Sequence, residues 1–422
     1  MQTLSRPPVP VVVLQYGEGA SQLRNNRTIL VRAPHVKLHQ LRRLDDRLAA
    51  HLDGLAVSGE AGRAHCQAAL ETLGTGTVFT ATVRAIQDHD TAALDKLIAL
   101  SEAVEPVRAG LASAFGWVAA AELRGVTAPL LESPNPFRRR IGLAACAMHQ
   151  VDPGPALLAA IVHADAGLRA YALRAAANGG RRDLLPACLA ALTDDVDDCR
   201  FQAARAALLL GDPGAALGPL QVFAMTSGPH QISALALLIT ALAPPEAHAP
   251  LKALAANAEA ARALIRGVGW AGDSHYVPWL IKQMDDAALA RLAGESFSLM
   301  TGLDLAEEDL ECRPPEGVNT GPNDDPNDAN VALDEDENLP WPDPRKIAVW
   351  WQAGGHRFAP GTRHFMGEVP SLAHGFAVLK NGFQRQRIAA ADYLCLMNPG
   401  TPIFNTAAPA WRQQRLLAQM PA

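Results

Sequence analysis

The chain of 422 residues is 49% apolar, 19% charged and only 5% aromatic, and its formal net charge is −6. This length exceeds what one hydrophobic core usually supports, so we expect two domains or an elongated repeat architecture. The low aromatic content and the alanine-rich stretches are typical of closely packed helices. The negative charge argues against a nucleic-acid partner, because phosphate neutralisation requires a basic face.

The cysteines and the apolar runs predict a cytoplasmic protein. The six cysteines contain no C-x-x-C pair, which indicates reduced, buried thiols rather than a disulfide framework or a zinc site. The N-terminal apolar run, residues 9–14, is interrupted by Pro10 and is too short for a signal peptide. The longest other run, near residues 234–243, has about half of the ~20 residues that a membrane span needs. We therefore expect no membrane partner.

The first segment, residues 1–103, is predicted to be a helical region. Leucines recur in it at spacings of three and four residues, which is the pattern of an amphipathic helix. These leucines are Leu38, Leu41, Leu44, Leu48, Leu52 and Leu55. His35 and His39 lie one turn apart, as two metal ligands on a helix would. No third ligand stands at a metal-binding spacing, so a surface or capping pair is favoured.

A repeat of about 31 residues runs through residues 104–288. The positions that define it are Arg108, Arg139, Arg169, Arg200, Gln231 and Arg262. Each is followed by small and apolar residues at helical spacing, and then by a second segment whose proline we expect in the first turn of a helix. These prolines are Pro155, Pro186, Pro219, Pro250 and Pro278. Each repeat is thus predicted to be a helical hairpin that stacks on its neighbours.

The stretches "DAGLRAYALRAA" and "DDCRFQAARAALLLGD" carry this repeat best. Their Asp-x-x-x-Arg-x-x-Ala-x-x-Ala pattern resembles the short HEAT-like repeats first named from phycobilisome lyase proteins. The resemblance implies an all-α fold built around an α-solenoid of about six HEAT-like helical hairpins. An N-terminal helical region would precede the solenoid, and an irregular helical cap over residues 289–422 would follow it.

The recurring arginine allows two interpretations. In the first, a structural ladder, each guanidinium bonds the aspartate of the preceding turn, as Asp165 would for Arg169. The ladder consists of Arg108, Arg139, Arg169, Arg200 and Arg262. In the second, an anion-binding stripe is formed by Arg139, Arg169, Arg174, Arg200 and Arg205. Regular repetition favours the ladder, because stacking requires the same contact in every repeat.

An acidic, proline-rich insert occupies residues 314–344. An EF-hand calcium loop that starts at Asn323 fails, because Asp328 stands where the loop requires glycine. A looser cation site, a flexible linker and an ordered strap all remain compatible with this composition. Apolar residues among the acids favour a strap laid across a helical surface, in contact with Arg345, Lys346 or the helix that contains "QRQR".

The C-terminal region carries further predicted helices and most of the tryptophans. The helices are expected at "PDPRKIAVWWQAG", "SLAHGFAVLKNG", "FQRQRIAAADYLCLM" and "APAWRQQRLLAQ". Aromatic and arginine side chains dominate interface energies, so this region supplies the candidate partner-binding residues. They are Trp341, Trp350, Trp351, Trp411, Arg385 and Arg387. The alternative is that the tryptophans form the core of the cap.

Several separated motifs, among them "GESFSLMTGLDL", "LPWPDP" and "PGTPIFNTAAPAWRQQ", resemble a proteobacterial HEAT-like-repeat family found beside type VI secretion genes. The resemblance implies partners such as a thiolase-like protein, an adaptor-domain protein or a PAAR-tipped effector. It provides no catalytic residues that could be transferred to this chain.

The sequence contains no nucleophile elbow, P-loop, Rossmann glycine set or H-E-x-x-H motif. We therefore expect no enzymatic activity, no cofactor and no metal. The expected function is that of an adaptor or chaperone-like accessory protein for type VI effector loading. The alternatives are a nucleic-acid-binding HEAT-like protein and an accessory subunit of an enzyme complex.

Overall fold

The computed structural model describes residues 7–318 and 334–420. The described residues form 22 α-helices and seven 3-10 helices, and their only β pairing consists of three isolated bridges. The all-α class predicted from the sequence is therefore confirmed.

The helices follow one another closely along the chain. The α-helices are α1 (Pro10–Leu30), α2 (Leu38–Val57), α3 (Glu60–Ala69), α4 (Thr75–Gln87), α5 (Thr91–Ala103), α6 (Arg108–Trp117), α7 (Thr127–Glu132), α8 (Pro136–His149), α9 (Pro155–Ile161), α10 (Ala166–Asn178), α11 (Leu185–Ala190), α12 (Asp197–Leu210), α13 (Pro213–Met225), α14 (Gln231–Ala241), α15 (Pro244–Ala255), α16 (Ala261–Ala271), α17 (Val277–Gln283), α18 (Ala290–Thr301), α19 (Pro344–Gly354), α20 (Leu372–Asn381), α21 (Gln384–Met397) and α22 (Ala410–Ala418). The 3-10 helices are Glu105–Val107, Ala120–Leu123, Arg182–Leu184, Ala191–Thr193, Ala258–Ala260, Ser274–Tyr276 and Gly355–Arg357.

The first compact unit consists of Met1–Ala206 together with Gly400–Pro421. In it, α1 lies against α2 and α4, and the contacts then run from α4 to α6, from α6 to α8 and from α8 to α10. The predicted leucine stripe forms the buried face of α2, where Leu41 and Leu48 are fully buried. In α10, Ala172 is fully buried, because its small side chain lets the neighbouring helices approach closely.

The second compact unit, Ala207–Pro399, is also built from helices that contact one another in chain order. Here α13 lies against α14, α14 against α16, and α16 against α18. Helices α15 and α17 pack on α16 and α18, and α20 pairs with α21. Phe297 and Leu292 are fully buried on α18, so this helix contributes to the core of the second unit.

Three of the five repeat prolines lie in the first turn of a helix, as predicted. The prediction was wrong for Pro219 and Pro250, which lie inside α13 and α15. These two helices begin earlier, at Pro213 and Pro244. A proline at the start of a helix has its φ angle set in advance, and its missing N–H costs nothing there.

The C-terminal tail packs within the first unit, so the compact units differ from the predicted division into segments at residues 103 and 288. Gly180 permits the close approach of the tail: its φ is +65°, and a Cβ would lie 2.2 Å from the carbonyl oxygen of Gly400. The Ile403 N–H then donates to the Asn178 carbonyl at 2.9 Å. Further along the tail, α22 contacts α2.

All six cysteines are free, and five of them are buried. The prediction of buried thiols is wrong for Cys312, which is exposed. Burial raises the pKa of Cys66 to about 11 and that of Cys188 to about 12, so both thiols stay protonated near neutral pH. Within the described ranges, each helix is too short or too polar to cross a membrane.

Candidate partner-binding sites

The four candidate tryptophans are all half-buried, and they lie in different surroundings. In the second unit, Trp351 stacks on Phe358 with ring centroids 5.5 Å apart, and Trp350 meets Phe297 edge to face at 5.9 Å. This cluster has the geometry of a packed aromatic core. The third candidate tryptophan of this unit, Trp341, has the guanidinium of Arg291 4.8 Å from its ring centroid.

The two candidate arginines of α21 differ in exposure. Arg387 is fully buried, and its Nε donates to the Leu379 carbonyl at 2.7 Å. Its guanidinium therefore has no access to a partner surface. Arg385 is partly exposed and bonds both carboxylate oxygens of Glu295, at 3.0 and 2.9 Å. A second donor of Arg385 reaches the backbone carbonyl of Glu335 at 3.1 Å.

The repeated arginines bond backbone carbonyls at the repeat junctions. Arg108 donates to the Ser101 carbonyl at 3.2 Å and to the Glu102 carbonyl at 2.8 Å. Arg169 and Arg200 do the same to carbonyls five or six residues before them, with distances of 2.7 to 2.9 Å. Such bonds satisfy carbonyls in the last turn of the preceding helix or in the connection after it, a contact that Arg108, Arg169 and Arg200 share.

The acidic partner of Arg169 differs from the predicted one. Asp194, in the following turn, accepts two bonds from Arg169, at 2.8 and 2.9 Å. The side-chain hydrogen bond from Arg169 lowers the pKa of Asp194 below its usual range. Asp165 instead caps α10 by accepting from the Leu168 N–H at 2.7 Å. For a residue just before a helix, the closest donors are the free backbone N–H groups in the first turn of that helix, so its carboxylate caps the helix.

Of the other two ladder positions, Arg139 is half-buried on α8 and Arg262 lies on α16. Arg262 bonds both carboxylate oxygens of Asp336, at 2.9 and 2.7 Å, and the Ala288 carbonyl at 3.1 Å. Asp336 is only 3% exposed, whereas the Arg262 side chain is 33% exposed, so this is a bidentate pair with a buried carboxylate.

Residues 334–336, the acidic strap, lie across α16 and α18 of the second unit. The carboxylate of Asp334 is 2.7 Å from Arg291 Nη1, which also donates to the Asp336 carbonyl at 3.0 Å. Glu335 is more exposed and lies 3.2 Å from Arg266. The acidic strap is therefore bound to a set of arginines from three helices, including Arg385 of α21.

The predicted contacts of the insert are met in part. The "QRQR" helix contacts the strap through Arg385, whereas Lys346 bonds the Asp309 carbonyl at 2.8 Å. The EF-hand template, which begins at Asn323, falls mostly on residues 319–333 and so lies outside the described residues. Among the residues that are described, no three His, Cys, Asp or Glu side chains are placed to hold a metal ion.

A buried ion pair holds the last helix of the first unit in place. Arg27 bonds the carboxylate of Asp45 at 2.7 and 3.3 Å, and it also donates to the carbonyls of Ala407 and Ala408, both at 2.9 Å. Asp45 is fully buried, and it accepts a further bond from the Ala410 N–H, the first amide of α22, at 2.7 Å. The pair therefore joins α1, α2 and α22.

The docked α22 forms one wall of a groove in the first unit. The groove has a volume of about 540 Å³ and includes Trp117, Trp411, His149 and Arg412 among its lining residues. The rings of Trp117 and Trp411 meet edge to face with centroids 4.8 Å apart. Among the candidate tryptophans, Trp411 thus lines a groove of the described structure.

The groove carries charges of both signs. Arg412 donates to the carbonyls of Met148 and Val118, at 3.1 and 3.3 Å. Arg415 is exposed, and Asp53 belongs to the same lining.

No family model matches this sequence, and no curated protein matches it. The chemistry of the groove therefore has to be inferred from its own side chains.

Of the titratable side chains that line the groove, His149 is the one whose ordinary pKa lies closest to neutral pH. Its Nε2 lies 2.7 Å from the Phe115 carbonyl. Burial lowers the pKa of His149, with a smaller contribution from the positive charge of Arg412, although the Phe115 carbonyl acts in the opposite direction. The lowered pKa favours the neutral imidazole near pH 7, and Asp53 and Glu122 line the groove together with it.

Sequence reasoning missed Arg27, Asp45 and Trp117. Asp45 did have a signal, because it stands four residues after Leu41 and three before Leu48, on the leucine stripe itself. A carboxylate on a buried helical face needs a cationic partner. The identity of that partner is not encoded near Asp45 in the sequence.

Proposed function

We propose that this protein is a non-enzymatic interaction scaffold, an adaptor or chaperone-like accessory protein that helps to load effectors onto the type VI secretion spike. The observation that carries the proposal is the groove of the first unit, with its tryptophan pair and its exposed Arg415. The type VI context is supported by the family resemblance of the C-terminal motifs. Its partner would be an effector, a thiolase-like protein or an adaptor-domain protein.

The groove suits an extended segment of a partner protein. Its volume of about 540 Å³ falls within the ~300–1,000 Å³ of typical binding clefts. Trp411 offers an aromatic face for an apolar side chain, and tryptophan and arginine are the residues that most often dominate interface energies. The mixture of Arg415 with Asp53 and Glu122 favours a peptide with charges of both signs over a polyanion.

We further propose that the consecutive helix contacts belong to a HEAT-like α-solenoid of about six hairpins. Within the first unit, the even-numbered helices α4 to α10 contact one another in order. Within the second unit, α14, α16 and α18 do the same. The carbonyl contacts of Arg108, Arg169 and Arg200 recur with the sequence period, as stacked repeats require.

The proposal is tested by affinity purification of the tagged protein from its native host, under conditions in which the secretion genes are expressed. Type VI effector or spike components should be recovered and identified by mass spectrometry. Arg415→Glu reverses an exposed charge in the groove without touching the core and should reduce this recovery about 10-fold or more. Trp411→Ala should reduce it similarly.

Trp350→Ala is the matched control, because Trp350 is also half-buried but belongs to the aromatic cluster of the second unit. It should leave the recovery unchanged. A loss with Trp350→Ala but not with Arg415→Glu would remove the binding site from the groove. Recovery of no secretion component by the parent protein would contradict the adaptor function itself.

A further inference from the structure

A second, smaller cavity of the first unit is surrounded by cations. Its volume is about 60 Å³, and Arg24, Arg27 and Arg412 line it together with the polar side chains of Ser113 and Asn405. The lining therefore contains three guanidinium groups and no carboxylate.

Arg24 has only neutral hydrogen-bond partners. Its Nε donates to the Ser113 hydroxyl at 2.8 Å, its Nη2 to the Ala109 carbonyl at 3.3 Å, and its Nη1 to the Thr28 hydroxyl. These partners satisfy some donors but leave the positive charge in place. Arg24 is 8% exposed, and burial, followed by the nearby charge of Arg27, lowers its pKa to about 10.

The neighbouring cations add to this charge. Arg27 is balanced by Asp45, which is fully buried beside it. Arg412 bonds two carbonyls, and burial, together with the charges of Arg415 and Arg27, lowers its pKa. Three guanidiniums and one carboxylate leave an excess of two positive charges around a partly enclosed space. A buried charge without a counter-ion is expensive, so an anion that entered the cavity would be strongly favoured.

We propose that this cavity is a binding site for a small inorganic oxyanion, held by Arg24, Arg27 and Arg412. The cavity of about 60 Å³ exceeds the ~10–15 Å³ that one water needs, so it admits a polyatomic ion. Guanidinium groups match oxyanions through paired N–H donors, which a spherical halide cannot use equally well. The side-chain amide of Asn405 supplies a further donor at the same cavity. The Ser113 hydroxyl instead donates to the Gly110 carbonyl at 2.9 Å and holds Arg24 in place by accepting from its Nε.

The site goes beyond the proposed scaffold function and does not depend on it. Asn405 and Arg412 belong to the C-terminal tail, whereas Arg24 and Arg27 belong to α1. A bound oxyanion therefore joins the tail to the N-terminal helices. Trp117 and Arg412 also line the larger groove, so anion binding fixes one wall of the partner site.

Equilibrium dialysis of the full chain against radiolabelled inorganic phosphate tests this site. We expect saturable binding of one phosphate per chain, competed by sulfate but not by chloride at the same ionic strength. Arg24→Met should reduce the affinity at least 10-fold. Arg415→Met is the matched control: it removes an arginine of α22 that lines the groove but not the small cavity, and it should keep the affinity within about twofold.

Arg24→Lys and Arg412→Gln keep the test informative if Arg24→Met does not fold. Both should weaken phosphate binding while circular dichroism shows the parent helix content, because lysine lacks the paired donors of arginine. The inference is overturned if the parent binds no phosphate or sulfate saturably. It is also overturned if chloride competes as well as sulfate, or if Arg415→Met loses phosphate while Arg24→Lys and Arg412→Gln retain it.

Discussion

Replacing Asp45 with leucine should release the last helix of the first unit. The substitution keeps a side chain of similar size but leaves Arg27, whose side chain is 11% exposed, without its carboxylate. It also removes the acceptor of the Ala410 N–H at the start of α22. Breaking one partner of a buried ion pair costs about 3–5 kcal/mol, and about 1.4 kcal/mol corresponds to a tenfold change in an equilibrium constant.

The amides of α22 should therefore exchange with deuterium about 100-fold faster or more in Asp45→Leu, since these residues open locally before the unit unfolds. Asp46→Leu is the matched control. Asp46 is the next residue on the same helix, and it pairs with Arg42 four residues away at the surface. Such a pair contributes about 0.3–0.5 kcal/mol, which corresponds to a change of about twofold.

The double variant Asp45→Leu with Arg27→Met separates charge from packing. Removing both partners leaves no buried unpaired charge, so most of the protection of α22 should return. The reasoning is refuted if Asp45→Leu changes the exchange of α22 no more than Asp46→Leu does. It is also refuted if the double variant exchanges as fast as Asp45→Leu alone.

Two further predictions concern ion pairs of the strap and the repeats. Arg262→Met leaves the buried Asp336 unpaired and should lower the free energy of unfolding in urea by about 3–5 kcal/mol. The control is Arg266→Met: Arg266 contacts an exposed carboxylate, so its loss should cost under about 1 kcal/mol. Equal losses in the two variants would contradict the strap contacts. Arg169 lowers the pKa of Asp194, so the pair's contribution of about 1.5–3 kcal/mol should be complete above about pH 4 and disappear as the pH falls through the lowered folded-state pKa. The difference in unfolding free energy between the parent and Asp194→Asn should therefore shrink in acid, and a pH-independent difference would show that this carboxylate does not titrate as inferred.

The helices could be read from the sequence because their signals are local. The leucines of α2 recur every three or four residues, and they form its buried face. The four C-terminal segments expected to be helical contain α19, α20, α21 and α22. Proline positions were less informative, because Pro213 and Pro244 start helices in which Pro219 and Pro250 are then tolerated.

The roles of individual charged and aromatic residues were not readable in this way. Arg385 and Arg387 stand two residues apart, yet one is partly exposed and the other is fully buried. Asp194 rather than Asp165 pairs with Arg169, because the helix that follows Asp165 takes its carboxylate as a cap. Sequence neighbours compete for such contacts, and only the packed structure decides which partner is within reach.

By itself, the sequence determined the all-helical class, the absence of long apolar spans among the described helices and the repeated position of the arginines. These properties depend on helical periodicity and composition, which act over a few residues. The tertiary structure alone decided that residues 400–420 return to the N-terminal helices, and that Arg27 meets Asp45 there. The groove and the small cationic cavity depend on that return, because their walls combine side chains more than 200 residues apart in the chain.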